Sequence, residues 1–247
     1  MPTPHPALLA RLRAQMDAQQ PRLRHGVLPF GDGRVDACLA GGGLVLGALH
    51  EVAGAGIEAE TGATPAAFLA CLLARLPGRK PLVWIAPTAD LYAPGLLAHG
   101  LDPGRLLRVR PQGDPLAAME TVLRDGTTSG VVAEAGRLSR IASRRLQLAC
   151  LKHGSTGFVL RRWPYGRGGA AEEPTASVTR WRIAPAPSAI AFGEPGPPRW
   201  RVELLHARGG FEGAWIMQAG EHNAPHPVCV VAELADPAAP TPRRALG

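Results

Sequence analysis

The chain has 247 residues, of which 46% are hydrophobic and 19% are charged, and its formal net charge is +7. This composition excludes an intrinsically disordered chain, and the length is sufficient for one large domain or for one domain with an appendage. Arginine accounts for 25 of the 27 basic residues, so any chemistry that requires a lysine has only two candidates, Lys80 and Lys152.

The excess positive charge is concentrated in the second half of the chain. Residues 1–134 carry 12 basic and 12 acidic side chains, whereas residues 135–247 carry 15 basic and 8 acidic ones. An arginine-rich half predicts an acidic partner, either nucleic acid or an acidic protein surface. A basic surface that serves only solubility is the alternative.

The cysteines and the N-terminal residues bear on metal binding and on localisation. The four cysteines lie far apart without a C-x-x-C pair, which argues against a zinc ribbon and a disulfide framework. His222, His226 and Cys229 have a spacing that a metal would tolerate, but prolines interrupt them and no fourth ligand is evident, so we expect no metal site. Charged residues interrupt the first 20 positions, and no run of about 18 apolar residues occurs. We therefore expect a cytoplasmic protein with no signal peptide and no membrane contact.

An amphipathic helix over residues 6–20 is the first predicted element, and it defines an N-terminal segment of residues 1–22. Its apolar side chains recur at helical spacing, at Leu8, Leu9, Leu12 and Met16. Such a helix either packs on its own domain or docks on a partner, and the sequence leaves both possibilities open.

Apolar strands and helical patterns then alternate along the chain. Strands are predicted over residues 44–52, 81–86, 106–109, 130–133 and 156–160, and helices over residues 65–76, 91–99, 115–123 and 139–153. Uninterrupted apolar strands that alternate with helices indicate a mostly parallel sheet covered on both faces. The predicted fold class is therefore α/β, with a core over residues 23–165.

The pattern changes after the last of these strands. Residues 166–174 are rich in glycine and acidic residues and are expected to form a loop. Alternating segments over residues 177–183, 200–206 and 214–218 then predict antiparallel strands at the edge of the sheet. We predict a strand extension over residues 166–236 and a disordered tail over residues 237–247.

A glycine-rich loop follows the first core strand, at the place of a phosphate-binding loop in an α/β ATPase. Such a loop has the pattern G-x-x-x-x-G-K-[ST], in which backbone N–H groups and a lysine hold the phosphates and a hydroxyl holds Mg²⁺. In this chain the spacing is one residue too long, and Glu58 and Glu60 bring negative charge. The loop is a degenerate P-loop that disfavours ATP, with Ala63 at the lysine position; its residues are Gly54, Gly56, Gly62, Ala63 and Thr64.

Three further stretches resemble RecA-type recombinases in the right order. Residues 40–52 are similar to the entry into their first core strand, residues 92–107 to their A-x-x-L-G-(V/L)-D-x-x-x-L-L segment, and residues 130–138 to their Walker B strand. The resemblance covers roughly residues 25–165 and implies a RecA-like core.

The departures from the recombinase pattern agree with one another. Ala133 stands where the recombinases have an aspartate that coordinates Mg²⁺, with Glu134 beside it, and Thr88 stands where they have the glutamate that activates water. Together with Ala63, these changes remove the phosphate lysine, the metal carboxylate and the catalytic base. We therefore expect a protein that is not an enzyme and has no cofactor, because a fold does not carry its function with it.

Further stretches resemble the ImuA family, which overlaps the SulA-like group. They are residues 24–31, 43–53, 139–148, 179–183 and 199–205. The resemblance implies a non-catalytic accessory protein of SOS-induced mutagenic translesion DNA synthesis. It also implies an adaptor role with an ImuB-like Y-family polymerase homologue and an error-prone polymerase III alpha-type subunit, with RecA and single-stranded DNA as further candidate partners.

Arginine recurs beside tryptophan in the basic half, at Trp163, Trp181 and Trp200. Both residue types are common in binding hot spots and suit single-stranded DNA. The candidate partner or DNA contacts are Arg161, Arg162, Arg180, Arg182, Arg199 and Arg201. In the alternative arrangement each tryptophan packs inward while its neighbours point outward, as strand alternation dictates.

Two other functions stay open at this point. One is a nucleotide-dependent RecA-like DNA-binding ATPase, in which Lys80 would have to serve from another loop. The other is a SulA-like cell-division inhibitor that acts on FtsZ.

Overall fold

A computed structural model describes residues 23–56, 62–162, 174–188, 196–220, 226 and 228–233. The helices in these residues are α1 (Gly33–Asp36), α2 (Ala63–Ala74), α3 (Ala93–Leu97), α4 (Pro115–Asp125) and α5 (Arg140–His153). The first strands are β1 (Val27–Leu28), β2 (Leu44–Val45), β3 (Leu49–Gly54), β4 (Leu82–Ile85), β5 (Leu106–Val109) and β6 (Gly130–Ala135). The remaining strands are β7 (Thr156–Arg161), β8 (Thr179–Ala186), β9 (Arg199–Ala207), β10 (Gly213–Ala219) and β11 (Val228–Glu233).

Nine of the described strands form one sheet, in the order β11-β10-β9-β8-β3-β7-β6-β4-β5. From β8 to β5 all neighbours are parallel, whereas β8, β9, β10 and β11 pair antiparallel. The short strands β1 and β2 form a separate antiparallel pair. This arrangement confirms the predicted fold class of a mostly parallel sheet with helices and C-terminal antiparallel strands at one edge.

Strand β8 joins the parallel core to the antiparallel extension, because β3 borders it on one side and β9 on the other. The sheet is thus continuous across the predicted boundary between residues 165 and 166. The predicted N-terminal helix over residues 6–20 and the predicted tail over residues 237–247 lie outside the described residues. No helix in the described part of the chain is both long enough and apolar enough to span a bilayer.

The two faces of the sheet carry separate apolar cores. On one face, α2 and Phe30 share a core with the buried indoles of Trp84, Trp181, Trp200 and Trp215, and the Phe30 and Trp181 rings lie 5.4 Å apart. On the other face, α4 and α5 cover β3, β4, β6 and β7, with buried side chains that include Met119, Leu123, Leu146 and Cys150. The strands between them are buried on both sides, which explains their uninterrupted apolar sequences.

Caps fix the ends of α5. The Ser139 hydroxyl accepts a hydrogen bond from the backbone N–H of Ala142 at 3.2 Å, and Gly154 ends the helix with φ of 81°. A serine N-cap and a glycine in the left-handed region are common boundary residues for helices. The predicted helix over residues 139–153 therefore agrees with the structure to within one residue.

The strand predicted over residues 44–52 is interrupted in the structure. Gly47 adopts φ of 63° between β2 and β3, and a Cβ at this position would lie 2.3 Å from the His25 ring. Only glycine fits this turn, which divides the apolar run into two strands. The short elements α1 and β1 and the last strand β11 were not predicted.

A chain of buried hydrogen bonds links β3 to β8. Trp181 Nε1 donates to Thr179 Oγ1 at 2.7 Å, and His50 lies 2.8 Å from both Thr179 Oγ1 and the Val45 carbonyl oxygen. Nε2 donates to the Val45 carbonyl oxygen, and in the neutral imidazole Nδ1 is the atom that accepts from the Thr179 hydroxyl. Burial lowers the pKa of His50 to about 4.

This network predicts that acid destabilises the protein. His50 in the unfolded chain has a pKa near 6.5, so the stability that its neutral form contributes is full above that pH and is lost as the pH falls towards 4. Between these values the free energy of unfolding should fall by about 1.4 kcal/mol per pH unit from this group. Urea unfolding at pH 7 and pH 5 measures the effect. His50→Gln is expected to be less stable at pH 7 but to lose less on acidification, and an equal pH slope in both proteins would contradict the assignment.

Candidate functional site at the carboxyl edge of the sheet

A cavity of about 420 Å³ opens at the carboxyl edge of the parallel strands. Ligands in open α/β sheets bind at this edge, because the loops that follow the strands meet there. The first turns of α2, the segment after β4, helix α3 and the ends of β6 and β7 supply the described walls. The lining residues are Gly62, Ala63, Ala66, Ala67, Asp90, Leu91, Tyr92, Gly95, Leu96, His99, Glu134, Leu160 and Arg162.

Of the five residues predicted to form a degenerate P-loop, Gly62 and Ala63 line this cavity. Gly54 ends β3 and Gly56 follows it with φ of 107°, while residues 57–61 lie outside the described part. Gly62 precedes α2, and Ala63 and Thr64 begin the helix. At the lysine position the cavity wall therefore carries the methyl group of Ala63, and the start of α2 offers backbone N–H groups without a side-chain cation.

The two Walker B positions point to opposite faces of the sheet. Ala133 is fully buried in the core under α4 and α5, whereas Glu134 faces the cavity. Strand alternation explains the difference, since successive side chains of β6 leave the sheet on opposite sides. The carboxylate that this strand presents to the cavity is thus Glu134.

Glu134 is 4% exposed, and its two carboxylate oxygens have different partners. Trp84 Nε1 donates to Oε1 at 2.7 Å, and the Arg162 guanidinium pairs with Oε2 at 2.7 Å. The same guanidinium forms two hydrogen bonds to the Asp90 carboxylate, at 2.7 and 3.1 Å. The Thr88 hydroxyl also donates to Asp90, at 3.0 Å. Arg162 therefore bridges two carboxylates at the cavity wall.

The charge of Arg162 is taken up within this triad. The hydrogen bonds from Arg162 hold the pKa of Asp90 below its usual value, so this carboxylate is ionised at neutral pH. Arg162 thus faces an ionised Asp90 and, on its other side, the Glu134 carboxylate. The guanidinium charge at the cavity wall is thus opposed by acidic side chains of the protein itself.

Arg161, one residue earlier, serves the opposite face of the sheet. Its guanidinium pairs with the buried Glu51 at 3.0 Å and donates to the Gly136 carbonyl oxygen at 3.0 Å. Glu51 also accepts a hydrogen bond from the Thr175 hydroxyl, and Arg180 Nη2 lies 3.9 Å from it. Arg161, Arg162 and Arg180, which the sequence suggested as contacts for a partner, thus form ion pairs within the protein.

The three other candidate arginines lie on the open face of the antiparallel strands. Arg182 and Arg201 both pair with Glu203, with Arg201 at 2.7 Å, and Arg199 donates to Gln218 at 3.3 Å. Partial burial raises the pKa of Glu203, but hydrogen bonds and charge from the two guanidiniums outweigh this and hold it below its usual value. Trp181 and Trp200 point to the other face and are buried, as in the alternative arrangement, while Trp163 lies outside the described residues.

Two cavity residues, Tyr92 and His99, were not singled out from the sequence. Tyr92 is largely exposed at the start of α3, and the His99 ring lies 5.7 Å from the Trp200 ring. Burial lowers the pKa of His99, and its Nδ1 has no hydrogen-bond partner in the described structure. Both residues lie in the stretch 92–107 that resembles the recombinases, but the resemblance assigned neither of them a role. Of the weakly suggested metal ligands, His222 lies outside the described residues and Cys229 is exposed on β11.

The comparisons with known proteins give a clear assignment. No family model matches the chain. Two curated relatives, each named protein ImuA and each from Caulobacter vibrioides, are 50% identical to the chain over 226 residues. They come from strains NA1000/CB15N and ATCC 19089/CIP 103742/CB 15, and each alignment covers 85% of this chain and 91% of the relative. The chain belongs to the ImuA family.

This assignment confirms the resemblance drawn from the short sequence stretches. Three of those stretches contain residues of the ion pairs described above. Residues 43–53 contain Glu51, residues 179–183 contain Arg180 and Arg182, and residues 199–205 contain Arg201 and Glu203. In this member of the ImuA family, the stretches therefore supply part of the polar framework of the sheet.

The triad predicts a specific loss of stability. Arg162→Met leaves the buried Glu134 carboxylate without its cation and should lower the free energy of unfolding by about 3 kcal/mol. Adding Glu134→Gln removes the unpaired charge while keeping an acceptor for Trp84, and should restore part of the loss. Urea denaturation measures both.

Arg201→Met is the matched control for this prediction. It removes an arginine from a more exposed ion pair and should cost less than about 1 kcal/mol. Equal losses in Arg162→Met and Arg201→Met, or a further loss on adding Glu134→Gln, would contradict the assigned role.

Proposed function

We propose that this chain is a non-catalytic accessory protein of SOS-induced mutagenic translesion DNA synthesis. It would act as an adaptor that works with an ImuB-like Y-family polymerase homologue and an error-prone polymerase III alpha-type subunit. Membership of the ImuA family supports the biological setting. The proposal that the protein is non-catalytic is supported by the ion pairs that Arg162 forms with Glu134 and Asp90 at the cavity wall.

The described lining of the cavity does not offer the set of charges that binds a nucleotide and its metal ion. A nucleoside triphosphate needs cations at its phosphates and a carboxylate available for Mg²⁺. Arg162 is the one permanent cation among the described lining residues, and it is held by two carboxylates. Glu134, the carboxylate at the metal position, is in turn held by Trp84 and Arg162. Using either group for a ligand would require breaking a pairing that stabilises the fold.

The position of Lys80 argues against the ATPase alternative. Lys80 precedes β4 and donates to the Gly126 carbonyl oxygen at 3.0 Å. It therefore lies at the amino end of that strand, whereas the cavity lies at the carboxyl end. A SulA-like inhibitor remains an alternative on sequence resemblance alone.

A calorimetric titration tests the non-catalytic part of the proposal. We expect no saturable heat when MgATP is added to the purified full chain up to millimolar concentrations, with an active RecA protein as the positive control. Saturable binding of MgATP together with its turnover would favour the ATPase alternative.

Mutagenesis in cells tests the biological role. Deleting the gene should reduce damage-induced mutations to near the uninduced frequency, and the wild-type gene should restore them. Unchanged mutagenesis, accompanied by filamentation when the protein is overproduced, would support the SulA-like alternative instead.

A further inference from the structure

The outer face of α5 carries two exposed aliphatic side chains. Ile141 is 75% exposed and Leu148 is 58% exposed, and they lie seven residues apart, which places them on the same side of the helix. The inner face of α5 is occupied by Leu146, Ala149 and Cys150 in the core. The exposed pair therefore lies outside the apolar core that α5 completes.

Cations surround this aliphatic pair. Arg144 and Lys152 lie on the same helical face and Arg140 lies at its margin, and all three are exposed. The neighbouring Arg145 instead pairs with Glu120 at 2.5 Å. None of the described ion pairs involves Arg140, Arg144 or Lys152. Exposed apolar groups with a rim of polar or charged side chains are a common feature of protein interaction sites.

We propose that the outer face of α5 binds an acidic amphipathic segment of a partner protein. Its aliphatic side chains would cover Ile141 and Leu148, and its carboxylates would pair with Arg140, Arg144 and Lys152. The cations favour an acidic partner because opposite charges attract across an interface. The aliphatic pair at the centre favours a protein over nucleic acid, whose backbone contacts are mainly polar. The 14 residues of α5 span about 21 Å, enough for about four turns of a facing helix.

The N-terminal segment of the same chain is the competing occupant. His25 donates to the Leu151 carbonyl oxygen at 3.0 Å, so the described chain begins near the end of α5, and residues 1–22 precede that point. The helix predicted over residues 6–20 has an apolar side, but Arg11 and Arg13 would meet the cations of α5. Like charges disfavour this arrangement, and the acidic partner is the better match.

This inference deepens the adaptor function proposed above and rests on it. An adaptor needs a surface that is presented independently of any ligand in the cavity. The outer face of α5 belongs to the opposite side of the sheet from the cavity and uses none of its residues.

A peptide titration with the full chain tests the surface directly. The probe is a fluorescein-labelled 18-residue peptide with leucines at helical spacing and glutamates beside them. A peptide of the same composition without an apolar face and a peptide with lysines in place of the glutamates serve as comparisons. We expect the acidic amphipathic probe to bind at least tenfold more tightly than either comparison, by fluorescence anisotropy.

Substitutions locate the binding to α5. Ile141→Gln with Leu148→Gln, and separately Arg144→Glu, should each weaken binding of the probe at least tenfold. The matched control is Phe211→Gln, since Phe211 is 69% exposed elsewhere and its loss should change nothing. Circular dichroism verifies that each variant folds. Absence of binding, equal binding of the comparison peptides or unchanged binding to the α5 variants would overturn the proposal.

A variant at the N-terminus tests whether the chain's own residues 1–22 occupy the outer face of α5. If the wild-type chain fails to bind the probe but a Leu8→Gln, Leu9→Gln and Leu12→Gln variant binds it, the chain's own N-terminal segment covers α5 and the partner proposal is overturned. If both bind the probe equally, the surface is open to a partner, as we expect.

Complementation in cells distinguishes this inference from the proposed function. In the deletion strain, the Ile141→Gln and Leu148→Gln variant should restore less than a tenth of the induced mutagenesis at normal protein level. If deletion itself leaves mutagenesis unchanged, the proposed function fails. If deletion abolishes mutagenesis but this variant restores it fully, only the assignment of α5 as the docking surface fails.

Discussion

A buried carboxylate requires a cation, and this requirement organises the carboxyl edge of the sheet. Glu51 on β3 and Glu134 on β6 are both buried, and β7 lies between these two strands. Two consecutive arginines at the end of β7 leave the sheet on opposite faces, so that Arg161 reaches Glu51 and Arg162 reaches Glu134. The two adjacent arginines thus pair with both carboxylates and link β7 to β3 and β6.

The same pairing engages the charged groups at the wall of the cavity. In this chain the cation and the carboxylate at the cavity wall satisfy each other, with Trp84 and Asp90 completing their hydrogen bonds. Stability and ligand binding therefore compete for the same atoms. A lysine introduced at Ala63 would leave this competition in place, because Arg162 would still be paired with Glu134 and Asp90.

The sequence was sufficient for the elements but not for the contacts between distant residues. Apolar runs and caps located α2, α4, α5 and most strands, since burial on both faces of a parallel sheet leaves a clear pattern. Strand β11 was missed because prolines precede a short apolar run. The triad was missed because Arg162 lies 72 residues from Asp90 and 28 from Glu134, and no spacing rule connects them.

The pattern of arginine beside tryptophan does not reveal which arginines have partners within the protein. The pattern drew attention to Arg161 and Arg162, yet a buried carboxylate on each face of the sheet takes up one of them. Composition records the excess of cations but not which of them have internal partners. The uncompensated cations in the described helices include Arg140, Arg144 and Lys152 on α5, where no tryptophan lies nearby in the sequence.

The attachment of α5 makes its outer face a suitable surface for an adaptor. On its inner side, Gln147 accepts a hydrogen bond from the backbone N–H of Leu49, and the Ser143 hydroxyl accepts one from Ala176. Arg145 fixes the helix to α4 through Glu120. A helix held at three points loses little backbone freedom when a partner binds, so more of the contact energy appears as affinity. The surface proposed on α5 is thus already formed before a partner binds.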